Sequence, residues 1–270
     1  MIAKNFKKLI KMENGYMIEA ENASIMIIAL TDEIIRVRVS FDNKFIENSY
    51  ALVTTAWADN LDELFADERV RIEAVNFSVC EDDKKIVFNT EKYALSLNKS
   101  TLSFSLSDIE GNIIYRDLKE RAFDRDYLGR VSHYSLIDME KDHFFGFGEK
   151  SGHLDKKGRR LRMNPKDAIG HNPESGEPLY KHIPFYIRVN EDIKKPIGLF
   201  YNNSYDCVFD ICNEISGYWD RYTYYRADGG DIDLFFICGN SMKDIINNYT
   251  FLTGRSAMPT KQEMGFTAST

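Results

Sequence analysis

Residues Ile35-Arg36-Val37-Arg38-Val39 alternate apolar and basic side chains without a break, and a period of two belongs to a strand with unlike faces rather than to a helix. The same signature recurs at short intervals: Ala23 to Leu30, Glu33 to Ser40, Val70 to Val79, Lys85 to Phe88, Tyr93 to Leu97 and Leu102 to Leu106. Between the runs stand Glu13-Asn14-Gly15, Thr31-Asp32, Glu81-Asp82-Asp83 and Glu110-Gly111-Asn112, residues that accept tight turns. Many short strands joined by turns predict an antiparallel sandwich. From Ala51 to Asp67 the alternation breaks, which predicts an irregular excursion or one short helix.

A second strand-rich stretch covers Phe144 to Cys238 and includes Ile183 to Val189, Ile197 to Tyr201, Cys207 to Ile211 and Ile232 to Ile237. It is interrupted from Arg159 to Pro178 by Asn164-Pro165, Asn172-Pro173 and Ser175-Gly176, which predict a long loop. Loops of that length inside a compact domain usually carry function. From Ser241 to Leu252 the apolar residues change to helical spacing, with Ser241 placed to cap the helix and Gly254 just past its end. Met264 to Thr270 reads as the start of a further strand.

Composition excludes several classes of partner. A net charge of -7 gives no basic field for a phosphate backbone, and the longest basic run, Lys156-Lys157-Gly158-Arg159-Arg160, is short, so no nucleic acid is expected. No apolar run reaches signal-peptide or membrane-spanning length, which points to a cytoplasmic protein with no membrane partner. Cys80, Cys207, Cys212 and Cys238 are irregularly spaced, without a Cys-x-x-Cys pair or a neighbouring histidine pair. They read as reduced core thiols, with no metal and no cofactor implied.

Seven blocks carry more than pattern. Phe145-Gly146-Phe147-Gly148-Glu149 is followed by Arg160-Leu161-Arg162-Met163-Asn164-Pro165-Lys166-Asp167, by Leu179-Tyr180-Lys181-His182-Ile183-Pro184-Phe185-Tyr186 and by Gly198-Leu199-Phe200-Tyr201-Asn202-Asn203. Gly229-Gly230-Asp231-Ile232-Asp233-Leu234-Phe235-Phe236-Ile237 and Tyr249-Thr250-Phe251-Leu252-Thr253-Gly254-Arg255 come next, then Met258-Pro259 and Gly265-Phe266. In this order the blocks resemble the N-terminal domain of family 31 glycoside hydrolases, enzymes of the α-glucosidase type. Residues 1 to about 140 match that family only in their strand-rich character.

The resemblance implies a mainly β chain with three parts. Residues 1–240 would form an antiparallel β-sandwich of the galactose-mutarotase-like type, 241–254 a connecting helix, and 255–270 the first strand of a (β/α)8 barrel whose remainder is missing. It also implies hydrolysis of an α-linked glucoside or related oligosaccharide with retention, which needs a nucleophile and an acid/base carboxyl about 5 to 5.5 Å apart. In the family both are aspartates on barrel loops, so no catalytic residue is expected in this chain, and the barrel is its expected partner. The chain alone should be inactive. What the sandwich would contribute is the family's Asn-x-x-Asp-type loop, in which Asp167 takes the place of an aspartate that contacts sugar hydroxyls near the leaving group. The bland reading is that Asp167 caps a turn after Asn164-Pro165.

Other residues admit a chemical and a structural reading. Glu149, ending a glycine-rich turn, is read as satisfying loop backbone or pairing with Arg162 rather than as an acid, and His182 as a hydrogen-bonded packing residue beside an edge strand. Lys156 to Arg162 reads as a solvated charged hairpin. Tyr218, Trp219, Tyr222, Tyr224 and Tyr225 read as core, although an exposed platform of them would suit a stand-alone carbohydrate-binding module. An aldose-epimerase-like enzyme would need a histidine and a carboxylate converging on one sugar, with His153, His171, His182, Glu174 and Glu177 as candidate members.

Overall fold

The computed structural model describes residues 1–64, 69–167, 170–172, 174 and 179–265. Its largest sheet has eight strands in the order Phe6–Met12, Gly15–Ala20, Ser24–Thr31, Ile34–Ser40, Ile232–Cys238, Ile197–Tyr201, His182–Asn190 and Asp142–Gly148, each antiparallel to its neighbours. Opposite it lie two five-stranded antiparallel sheets. One runs Ile113–Arg116, Phe104–Asp108, Tyr93–Asn98, Lys85–Asn89, Ser78–Glu81, and the other Phe123–Arg125, Val131–Leu136, Tyr222–Ala227, Cys207–Asp210, Arg160–Met163. A bridge between Asp117 and Ser135 and the bond from Leu118 N to Tyr134 O join them, so they act as one layer with a seam. The expected antiparallel sandwich is what forms, with its second layer divided in two.

The period-two pattern decides which side chains meet between the layers. Ile35, Val37 and Val39 from one strand and Ile232, Leu234 and Phe236 from the next face inward and pack against Leu95, Leu97, Phe104, Leu106 and Phe209 of the opposite layer. Tyr115 meets Phe236 edge-on at 5.0 Å, and Tyr201 stacks on Tyr225 at 4.1 Å. Each such side chain contributes about 1.5 to 3 kcal/mol by leaving water.

The large sheet is buried on its outer face as well. Ile34, Phe185, Phe200, Phe235 and Ile237 form a second apolar cluster there, covered by Leu52, Ala56 and the helix Met242–Thr253 through Ile245 and Leu252. The helix starts where Ser241 Oγ accepts from Asp244 N at 3.2 Å and ends at Gly254, whose N–H donates to Thr250 O at 2.9 Å and whose φ of 92° turns the chain out of the helix. Its seat requires Gly198, because a Cβ there would lie 2.7 Å from the Ile245 side chain and 2.9 Å from Phe185.

Several local expectations are corrected. The strand expected from Val70 to Val79 is two pieces, Val70–Arg71 and Ser78–Glu81, since Val75 leaves to bridge Ala29. Leu102, expected in a strand, sits buried in the turn before one, at a φ of 52°. The loop expected from Arg159 begins later, because Arg160–Met163 pairs with Cys207–Asp210. Cys207, Cys212 and Cys238 are core thiols but Cys80 is exposed, lying on the outermost strand of its sheet where no layer covers it. Arg36 and Arg38 sit on the outer face of a strand sealed on both sides and are buried. Residues 51–64 make the irregular excursion, pairing through Thr54–Thr55 with Val70–Arg71, and its remaining residues 65–67 lie outside the described residues. Of the strand expected from Met264 to Thr270 only Met264 and Gly265 are described, and they close a turn with Thr260 and Gln262.

Candidate functional site

The Phe-Gly-Phe-Gly-Glu block builds the foot of a site. Gly146 and Gly148 have φ of 126° and 80°, and a Cβ on Gly148 would lie 2.6 Å from Lys181 O and 2.8 Å from Ile183 N, so only glycine lets the two backbones come this close. The pairing slips here, from Gly146 opposite Tyr186 to Gly148 opposite His182. Phe147, between them at a φ of 71°, is held by stacking on Tyr186 at 4.9 Å and by Phe209.

The slip presents Glu149 and Lys150 to the segment that starts the next strand. Glu149 N donates to Lys181 O at 2.8 Å, and Glu149 Oε2 accepts from Lys181 N at 3.2 Å. Glu149 therefore satisfies loop backbone, the first of the two roles expected of it. Lys150 Nζ donates to Arg162 O at 2.6 Å and lies 3.2 Å from His182 Nδ1. His182 opens a strand that is second from the edge, between Ile197–Tyr201 and the edge strand Asp142–Gly148, so it does lie beside an edge strand as expected.

Asp167 stands four residues beyond Met163, the last residue of its strand, and is exposed. Among the described residues it makes no hydrogen bond or ion pair, while nearby Asn164 Nδ2 donates to Asp206 Oδ2. At the base of the loop opens a cleft of about 610 Å³ lined by Ser49, Tyr50, Pro165, Tyr180, His182, Asn202, Asn203 and Tyr205 among others. Under its floor runs a buried polar network. Ser49 Oγ donates to Asn202 Oδ1 at 2.5 Å, Asn202 Nδ2 to Asp233 Oδ2 at 2.8 Å, and Arg38 Nε to Asp231 Oδ2 at 2.8 Å. Burial pushes Asp231 up to about 6, and although burial acts on Asp233 too, the Arg36 charge holds that carboxyl below its ordinary range. Nothing in the sequence reading marked this network. Its signal was two arginines alternating on one strand and two aspartates alternating on another.

The other candidates separate. Lys156, expected in a solvated hairpin, is 5% exposed because its ammonium finds three carbonyls, Lys150 O at 3.1 Å, Ser151 O at 3.0 Å and His153 O at 2.5 Å. Tyr222, Tyr224 and Tyr225 are buried, Trp219 is partly covered, and of the five aromatics Tyr218 alone is well exposed, so they do not form a platform. His153, His171 and Glu174 are exposed, and Glu177 lies outside the described residues. Among the described residues, two histidines that sequence reasoning passed over are paired with carboxylates. His133 is enclosed between the layers with Asp117 at 2.8 Å and Tyr201 at 2.9 Å, out of reach of any sugar, and His143 lies between Asp155 and Glu191 at the surface. Among the described residues no group of three His, Cys, Asp or Glu is arranged to hold a metal, and no helix is long and apolar enough to cross a membrane.

The described strands thus form a two-layer antiparallel sandwich. Residues 24–210 match the model of the glycosyl hydrolase 31 N-terminal galactose mutarotase-like domain, and the chain belongs to that family. It is 34% identical over 196 residues to α-glucosidase 2 of Bacillus thermoamyloliquefaciens, a match covering 72% of this chain and 24% of that protein. The glucose complex of a Flavobacterium johnsoniae family 31 dextranase superposes with a TM-score of 0.81 at 25% identity, covering 98% of this chain and 30% of the dextranase. A family 31 α-xylosidase from a soil metagenome shares the fold at a TM-score of 0.69 and 12% identity, over 92% of this chain and 35% of its own. The chain thus spans about a quarter of the length of its curated relative.

Proposed function

We propose that this chain is the N-terminal sandwich of a retaining α-glycosidase of the α-glucosidase type, packed against a (β/α)8 barrel that carries both catalytic aspartates, and that Asp167 contacts the substrate. The observation that carries the reading is the Asp167 carboxylate, exposed on a loop whose two stems are pinned to Glu149 and Lys150. An ionised carboxylate accepting from a sugar hydroxyl contributes about 1.5 to 3 kcal/mol of binding without breaking a bond. The ligand is an α-linked glucoside or a related oligosaccharide, as the names of the relatives, an α-glucosidase and a dextranase, suggest.

The test is Asp167→Ala in the protein that joins this chain to its catalytic domain. Loss of one charged hydrogen bond should lower kcat/KM by roughly tenfold to a hundredfold. An unchanged value would leave Asp167 as a turn residue. The 270-residue chain by itself should give no turnover of a p-nitrophenyl α-glucoside, since one loop carboxylate cannot be both nucleophile and acid/base. Turnover abolished by substituting Asp167 or Glu149 would place the catalytic pair in the sandwich and overturn the reading.

A further inference from the structure

The Asp167 loop leaves one layer of the sandwich and returns to the other. Its first stem, Arg160–Met163, ends the second layer and pairs with Cys207–Asp210, whereas its second stem, His182–Asn190, pairs with Asp142–Gly148 and Ile197–Tyr201 in the first layer. No ladder joins the two stems among the described strands, so backbone pairing leaves the spacing between them open. One ammonium crosses that gap. Lys150 Nζ holds the carbonyl of Arg162 on the first stem and Nδ1 of His182 on the second.

Lys150 is in turn fixed from behind. Lys156 donates its ammonium to Lys150 O, Ser151 O and His153 O, while its own N–H is bonded to Phe144 O at 2.9 Å. The turn carrying Lys150 is therefore wrapped around a buried cation tied to the edge strand. Arg159 Nη1 adds a bond to Glu174 O at 3.0 Å within the loop. A misplacement of about 1 Å at a contact group is enough to lose most of its contribution.

We infer that Lys150 is a positioning residue for Asp167, setting the separation of the two loop stems and thereby where the Asp167 carboxylate stands. The inference rests on the proposed role of Asp167 for its catalytic readout, and on geometry alone for its structural one. In the protein joined to its catalytic domain, Lys150→Met should raise KM for an α-linked glucose disaccharide by about fivefold with kcat changed less than about twofold, the pattern of a lost binding contact. Lys150→Arg, which can reach both acceptors, should restore KM to within about twofold.

The decisive measurement is a double-mutant cycle. If Lys150 acts through Asp167, then Lys150→Met should change kcat/KM by less than about twofold in an Asp167→Ala background. The same loss in both backgrounds would overturn the inference. Should Lys150→Met impair folding, His182→Leu removes one arm of the bridge alone and must show the same dependence on Asp167.

Amide exchange in the 270-residue chain separates this inference from the reading beneath it. Lys150→Met should speed exchange at Lys181 by about tenfold while leaving the central strand Ile232–Cys238 protected. Unchanged exchange at Lys181, with Asp167→Ala still harmful to catalysis, overturns the clamp only. Faster exchange with Asp167→Ala harmless overturns the substrate role of Asp167 and leaves the clamp standing.

Discussion

Arg36 meets Asp233 through two parallel hydrogen bonds, Nε to Oδ1 and Nη2 to Oδ2, each 2.7 Å long, with both side chains 1% exposed. The pair is diagonal. In the ladder Asp233 stands opposite Arg38 and Phe235 opposite Arg36, so each arginine reaches one alternate position along, Arg36 to Asp233 and Arg38 to Asp231. The other face of the Arg36 guanidinium lies 3.7 Å from the centroid of Trp57.

Removing one partner of such a pair strands a buried charge. Asp233→Ala should lower unfolding free energy by about 3 to 5 kcal/mol, measured by urea denaturation. The double variant Arg36→Met with Asp233→Leu should lose less than the sum of its single changes, because it leaves no unpaired ion. A strictly additive result would show that the pair is not coupled.

His143 should make stability depend on pH in a defined direction. Hydrogen bonds to Glu191 at 2.9 Å and Asp155 at 2.8 Å raise its pKa above the ordinary 6.5, against burial and the charge of Lys157. The imidazolium donates to both carboxylates, so the contribution is fully present below about 6.5 and is lost as pH rises through the higher folded value. The urea midpoint of the wild-type chain should therefore fall between about pH 6 and pH 8 relative to that of His143→Asn. With the imidazole 30% exposed, solvent screening keeps the effect small. Parallel pH curves for the two proteins would remove His143 as the source.

The four cysteines should react in two classes. Cys80 is exposed, whereas Cys207, Cys212 and Cys238 are buried, and burial pushes the Cys207 thiol up to about 12 and the other two above their ordinary value. A thiol-exchange reagent at neutral pH should titrate one thiol in the native chain and all four in denaturant. Cys80→Ser should abolish the fast class; any native reaction remaining after that change would mean that the core around Cys207, Cys212 or Cys238 opens.

Much of the fold was legible because it is a local property. Ile197–Tyr201 and the helix with its Ser241 cap follow from spacing within a dozen residues, and the apolar alternation of Ile34–Ser40 and Ile232–Cys238 requires only that a pleated strand turn successive side chains to opposite faces. The loop that carries Asp167 was legible from its prolines and glycines, and the resemblance that singled out Asp167 was carried by blocks in sequence order. The same local reading placed a strand from Val70 to Val79, where the chain instead bends to meet Ala29.

What the sequence by itself determined is that the chain is built of short antiparallel strands, where the helix falls, and the family to which the chain belongs. Only the tertiary structure decided which charges are buried and what holds the loop. The alternation of Arg36 and Arg38 with apolar residues gave a strand with unlike faces but not the burial of the basic one, which comes from Trp57 and Phe235 lying over Arg36 and from aspartates 197 and 193 residues away that pair with Arg36 and Arg38. Lys156 read as surface until three carbonyls of its own turn closed around it, and Lys150 had no role until two layers placed Arg162 and His182 within its reach. The physical reason is the same in each case: water solvates a charge wherever the chain happens to be, so its sequence neighbours say nothing of its burial, and leaving water is tolerable only when partners from other segments supply hydrogen bonds in its place.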